Sequence, residues 1–299
     1  MAAPELHRIP GTDGLTLAVH RYAGPAGGRR LPVLCLPGLT RNARDFEAIA
    51  PVIARTREVL CLSFRGRGLS DRDPEPARYQ PPTYVGEVIA TLDAFDCPQA
   101  VFLGTSLGGL VTMLTAALHP DRLAAAILND VGPEVEPEGI ARIRAYVGRQ
   151  GRAASWREAG ARLRALNADV YPDYGEADWE RMARQLYVET GEGIVPDYDP
   201  AISVPILATP PTDERATDGR EPEQAAAPSL WPVFEVLGRR PLLLLRGGRS
   251  DILSVRTAER MRACAPGMLL CEVPDRGHAP SLAEPVARTA IEAFLEGLP

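Results

Sequence analysis

One short stretch brings together the residue types that covalent catalysis requires. Gly104-Thr105-Ser106-Leu107-Gly108 follows the apolar run Ala100-Val101-Phe102-Leu103 and leads into Leu107, Leu110, Val111 and Leu114, which recur at helical spacing. A serine at a tight bend between a strand and a helix is the G-x-S-x-G pattern, which lifts the hydroxyl clear of the sheet. The bend predicts a strained backbone at Ser106, at a cost of about 1–3 kcal/mol. Gly104 and Gly108 leave room where any side chain would crowd the neighbouring strand and helix. The helix that starts here offers unpaired N–H groups to developing negative charge.

A serine hydroxyl is a weak nucleophile at neutral pH. It needs a base within hydrogen-bond reach and a third group that fixes the base's tautomer. The chain has four histidines. His7 and His20 belong to an N-terminal hairpin, away from the carboxyl ends of parallel strands where sites form in open α/β sheets. His119 falls in the last turn of the Ser106 helix, at its wrong end. His278, in Arg276-Gly277-His278-Ala279-Pro280, follows the last strand-like run and is the expected base. For the acid, Asp251, Asp130 and Asp275 compete. Asp275 is too close in sequence to His278 to reach around its ring. The order Ser…Asp…His, with each residue after a different strand, favours Asp251, with Asp130 as the competitor.

These residues need a scaffold, and the rest of the chain supplies the pattern of one. Leu6 to Pro10 and Leu15 to Tyr22, about Asp13-Gly14, read as a hairpin. Pro32 to Leu36, Glu58 to Ser63, Ala100 to Leu103 and Ala124 to Asn129 read as buried strands. Helical stretches separate them: Asn42 capping Phe46, Ile49, Ala50 and Ile53, then Tyr84 to Phe95, then the Ser106 helix. Such alternation predicts a parallel sheet flanked by helices. From about 133 to 232 the pattern changes to helical segments without strands, with Ser155-x-x-Glu158 as a capping box. Within it Pro210 to Gln224 reads as a mobile surface loop. Strands resume at Arg240 to Arg246 and Leu269 to Val273, before a last helix through Val286, Ile291 and Phe294. One α/β core, residues 1–132 and 233–299, is therefore expected to carry an inserted helical cap, residues 133–232.

Composition sets outer limits. With 45% apolar and 24% charged residues over 299 positions, the chain can bury one large core. A net charge of −6 and no basic cluster argue against nucleic acid or an anionic membrane as partner. No signal-like core or membrane-length apolar run is present, so a cytoplasmic location is expected. Five cysteines are an odd number without metal-ligand spacing. Cys35, Cys61 and Cys271 are expected to be buried small hydrophobes. Neither a metal nor a cofactor is expected; the partner is a small-molecule substrate.

Taken together, these motifs resemble the α/β-hydrolase superfamily over nearly the whole chain. Gly104-Thr-Ser-Leu-Gly108 matches its nucleophile elbow, Arg65-Gly-Arg-Gly-Leu-Ser70 its R-G-x-G-x-S turn and Gly277-His278 its histidine loop. The resemblance implies a mostly parallel eight-stranded sheet, with cap helices inserted after the sixth strand. It also implies oxyanion donors in the backbone N–H groups of Leu39 and Leu107. Many members have His-Gly after the third strand, whereas this chain has Pro37-Gly38-Leu39-Thr40. That substitution leaves the backbone donors in place.

The chemistry so implied is acyl transfer to water. Ser106 attacks an ester-like carbonyl, His278 takes its proton and Asp251 steadies the imidazolium. A carboxylic ester or lactone of a small to medium apolar substrate is expected. Thr40, Asp130, Trp231 and Phe234 are candidate pocket residues. Tyr146, Trp156, Trp179, Tyr187 and Tyr198 are expected mainly to pack the cap, and Arg142 and Arg144 to face solvent or meet a carboxylate. Hydrolysis of a carbon–carbon bond in a vinylogous diketone is the alternative, although Ala279 stands where such enzymes commonly have tryptophan. A retired, ligand-binding member and a lyase remain as other classes. Ser106 excludes the epoxide and haloalkane hydrolases, which place aspartate at the elbow.

Overall fold

In the computed structural model, which describes residues 3–208 and 229–299, the apolar runs form one eight-stranded sheet. Strands β1 (Glu5–Pro10) and β2 (Thr16–Tyr22) make the expected antiparallel hairpin. β3 (Val33–Leu36), β4 (Val59–Ser63), β5 (Ala100–Thr105) and β6 (Leu123–Asn129) follow. Two more strands, β9 (Leu242–Gly247) and β10 (Leu269–Val273), close the sequence of the sheet. The order across it is β1-β2-β4-β3-β5-β6-β9-β10, parallel from β4 onward.

The central strands β3, β4 and β5 are buried along their whole length, which explains their continuous apolar sequence. Alternate residues serve opposite faces. Leu34, Leu36, Leu60, Leu62 and Phe102 meet α2 (Pro81–Ala94), α3 (Leu107–Leu118), α8 (Trp231–Leu237) and α9 (Val255–Cys264). Val33, Cys35, Val59, Cys61 and Val101 meet α1 (Ala50–Ile53) and α10 (Pro285–Glu296). Cys271, expected to be buried, is partly exposed because β10 is an edge strand.

Two local expectations give way. Asn42 does cap a turn, its side chain accepting from Arg44 N at 3.0 Å, but the turn is a 3-10 helix over Ala43–Phe46. The α-helical piece restarts only at Ala50, where Pro51, which has no N–H, falls in the first turn. Between β6 and α8 lie α4 (Pro137–Tyr146), α5 (Trp156–Asn167), α6 (Glu176–Leu186) and α7 (Ser203–Ala208). They are joined by a strand pair the sequence did not announce, β7 (Tyr187–Thr190) and β8 (Gly193–Pro196). Each strand has four residues, and Gly193 adopts φ +124°, a conformation L side chains rarely take.

The inserted segment has its own apolar centre, including Leu163, Tyr171, Trp179, Met182, Leu186 and Ile194. Ser155 caps α5 by accepting from Glu158 N at 3.2 Å, while Glu158 accepts from Ala154 N rather than from the cap's own amide. The Pro210 to Gln224 stretch lies outside the described residues. Among the described residues no helix is long and apolar enough to cross a membrane.

Candidate active site

β5 delivers Ser106 to the rim of the sheet with φ +51°, in the left-handed region that an L residue adopts only under constraint. The constraint is packing. A Cβ on Gly104 would stand 2.5 Å from Gly108 O, and one on Gly108 would stand 2.0 Å from Leu36 O. The elbow can approach β3 so closely only because both positions lack side chains.

Ser106 Oγ lies 2.8 Å from His278 Nε2, and His278 Nδ1 lies 2.8 Å from Asp130 Oδ2. A carboxylate only accepts, so Nδ1 carries the proton and Nε2 receives the serine O–H. Asp130 is fully buried. It is held by two further donors: Gly247 N to Oδ1 at 2.8 Å and Ser250 Oγ to Oδ2 at 2.6 Å.

Asp251, the expected partner of His278, is engaged elsewhere. It accepts from Arg142 of α4, Nε to Oδ2 at 2.5 Å and Nη2 to Oδ1 at 3.0 Å. Burial works to raise the Asp251 carboxyl, but the Arg142 hydrogen bonds and charge outweigh it and hold the group below its ordinary value. The two aspartates thus exchange places relative to the sequence expectation. Asp130 follows the strand adjacent to β5 and reaches the imidazole, whereas Asp251, one strand farther, joins the inserted segment to the core.

The histidine loop is tied at several points. Tyr171 O–H donates to Ala279 O at 2.7 Å, Asn129 Nδ2 to Pro280 O at 2.9 Å, and Gly277 N to Val170 O at 3.0 Å. On the opposite side, neither Leu39 N nor Leu107 N has a protein acceptor among the described residues. Both are therefore free to donate. The Leu39 carbonyl is fixed by Arg67 Nε at 2.9 Å. Arg67 is fully buried, donates through Nη1 to Arg65 O and Tyr84 Oη, and lies over the Tyr84 ring. The same turn bonds the inserted segment, Gly68 N to Asp197 O at 2.9 Å and Asp199 N to Gly66 O at 2.7 Å.

A cavity of about 340 Å³ opens onto Ser106 and His278. Thr40 lines it, as expected, with Tyr146 and Tyr198. Trp231 and Phe234 do not: both are buried in the main core, where α8 packs on α3, and Arg260 covers the Trp231 ring. Asp130 is not a wall residue either, since it stands behind the imidazole. Trp156, Trp179 and Tyr187 also lie off the cavity, whereas Tyr171, Tyr174 and Arg41, which the sequence did not single out, form part of it. Of the two arginines on α4, Arg142 lines the cavity and Arg144 donates to the Ile206 and Leu207 carbonyls.

Comparison with known proteins gives the family. Residues 33–293 match the model of the Alpha/beta hydrolase family. The 3-hydroxybutyrate-oligomer hydrolase of Cupriavidus necator is 30% identical over 285 residues, 94% of this chain and 93% of that protein. The 2-hydroxymuconate semialdehyde hydrolase of a Pseudomonas species is 33% identical, but over only 42% of this chain and 44% of its own. An alpha/beta hydrolase crystal structure from Novosphingobium aromaticivorans superposes with a TM-score of 0.87 and 46% identity, covering 99% of both chains. With its family match running from β3 into α10, and a relative aligned over nearly its full length, the chain belongs to the alpha/beta hydrolases.

Proposed function

We propose that the chain hydrolyses carboxylic esters through an acyl-enzyme on Ser106. The observation that carries this is the continuous relay from Ser106 Oγ through His278 to Asp130, 2.8 Å at each step. As Oγ attacks the ester carbonyl, Nε2 takes its proton, and the buried Asp130 carboxylate holds the imidazole and stabilises its charge. The amides of Leu39 and Leu107 receive the oxyanion, each worth about 3–4 kcal/mol in the transition state. His278 then protonates the leaving alkoxide, deprotonates a water and releases the acid. In this assignment residues 133–232 are the cap over a core of 1–132 and 233–299, supported by the walls that α4, α5 and α6 give the cavity.

An ester is preferred over a carbon–carbon bond because the relative named for ester oligomers aligns almost end to end, whereas the semialdehyde hydrolase aligns over less than half. The test is hydrolysis of 4-nitrophenyl butyrate together with labelling by a fluorophosphonate. Wild type is expected to turn over the ester and to be labelled at Ser106. Ser106→Ala is expected to lose labelling and about 10⁴-fold or more in kcat. An unlabelled wild type without ester turnover would instead mark a ligand-binding member of the fold.

A further inference from the structure

Two arginines in the cavity keep hydrogen-bonding capacity that the protein does not use. Arg41 follows the Leu39-Thr40 turn, and its stem flanks the same glycine, Gly38, as Ser106 does. A Cβ placed on Gly38 would stand 3.3 Å from Arg41 Cγ and 3.7 Å from Ser106 Cβ. Arg41 Nε is engaged by both oxygens of Asp45, at 2.9 and 2.7 Å, but neither terminal nitrogen has an acceptor among the described residues. Arg142 engages Asp251 through Nε and Nη2 and keeps Nη1. Both side chains line the cavity with Ser106, as does Tyr146, whose hydroxyl feels both positive charges.

The acids of this wall, and Asp251 outside it, are already matched or held back. Asp45 serves Arg41, Asp251 serves Arg142, Asp178 pairs with Arg181, and burial pushes the Glu47 carboxyl above its ordinary value. The Asp45 contact also fixes the Arg41 guanidinium and leaves the edge made by its two terminal nitrogens open. That edge has the shape for a bidentate carboxylate. A neutral ester offers it no such bidentate, charged partner.

We infer that the substrate is an ester bearing a free carboxylate, gripped by the terminal nitrogens of Arg41 with Arg142 as a second contact, which deepens the ester assignment above and rests on it. Linear oligomers of a hydroxy acid have this form. Their free carboxylate sits on the alcohol side of the last ester link. The unit held by Arg41 therefore leaves as the alcohol, taking the proton that His278 received from Ser106. The remaining acyl group stays on Oγ until water, deprotonated by His278, displaces it. Because Arg41 and Ser106 line one cavity and both flank Gly38, the cut falls near the carboxylate end.

Binding to Ser106→Ala, which forms no acyl-enzyme, tests the site without turnover. The linear dimer of 3-hydroxybutyrate and its methyl ester are titrated by calorimetry. The acid is expected to bind at least about tenfold more tightly than the methyl ester. Adding Arg41→Gln removes that preference, Arg41→Lys restores part of it, and Arg142→Gln reduces it less. Equal affinities, no binding of either compound, or a preference that survives Arg41→Gln each overturn the inference. Loss of ester turnover in the wild type, by contrast, would remove the ester assignment while leaving the carboxylate site measurable.

Discussion

His278 Nδ1 and Asp130 Oδ2 lie 2.8 Å apart, although 148 residues separate them in the chain. The aspartate also accepts from Ser250 and Gly247, so three donors fix its carboxylate. Replacing it with asparagine turns a side-chain N–H toward these donors and favours the wrong imidazole tautomer. Asp130→Asn is therefore expected to lower kcat for 4-nitrophenyl butyrate by about 10⁴-fold. Asp251→Asn, which leaves the relay intact, is expected to cost less than about tenfold. The opposite ranking would return the acid to position 251.

The Arg142–Asp251 pair makes a prediction about pH. The Asp251 carboxyl in the folded protein sits below its ordinary 3.8, so the unfolded chain binds its proton more readily. Its stabilising contribution is then fully present above about pH 5 and disappears as the pH falls through the lower, folded value. Both partners are about a third exposed, which limits the pair to about 0.5–1 kcal/mol. Urea midpoints of wild type and Asp251→Asn should differ at pH 6 and draw together as the pH is lowered below 3.8.

The close approach of the elbow to β3 predicts opposite outcomes for two glycines. Gly108→Ala would force a Cβ to 2.0 Å from Leu36 O and is expected to destabilise by at least about 3 kcal/mol. Gly86 lies inside α2 with its nearest neighbour 3.6 Å from a built Cβ. Gly86→Ala is expected to stabilise by about 0.5–1 kcal/mol, since it removes a weak helix former without a clash. Urea unfolding of the two variants measures both effects.

Arg67 positions the loop that carries the proposed Leu39 donor. A lysine cannot span Leu39 O, Arg65 O and Tyr84 Oη at once. Arg67→Lys is expected to lower kcat by about 10–100-fold with little change in KM, because the loss falls on the oxyanion. An effect confined to stability, with kcat unchanged in the folded fraction, would make Arg67 purely structural.

How far the site could be read in advance depends on how local each signal is. Ser106 sits in a pattern that strand, turn and helix all enforce, and His278 follows the last strand of the alternation, so the structure brings these two together as expected. The acid was not legible in the same way. Asp130 and Asp251 both follow strands and both precede His278. What separates them is the neighbour relation of β5 and β6 across the sheet, which strand order in sequence does not encode. Trp231 and Phe234 show a related difficulty. Their i, i+3 spacing identifies a buried helix face but not whether it lies against α3 or over a pocket. Arg41 has no periodicity at all, and its place in one cavity with the serine depends on the shape of one loop.

Thr105, the last residue of β5, is aligned with Asn129, the last of β6, and the residues that follow are Ser106 and Asp130. The proposed nucleophile and acid are therefore held in register by the backbone ladder that ends just before them. His278 comes from a loop beyond β10, two strands away from β6, and owes its place partly to Tyr171 and Val170 of the inserted segment. Damage to that segment would reach the chemistry by way of the imidazole, the one member of the three whose alignment the central ladder does not guarantee.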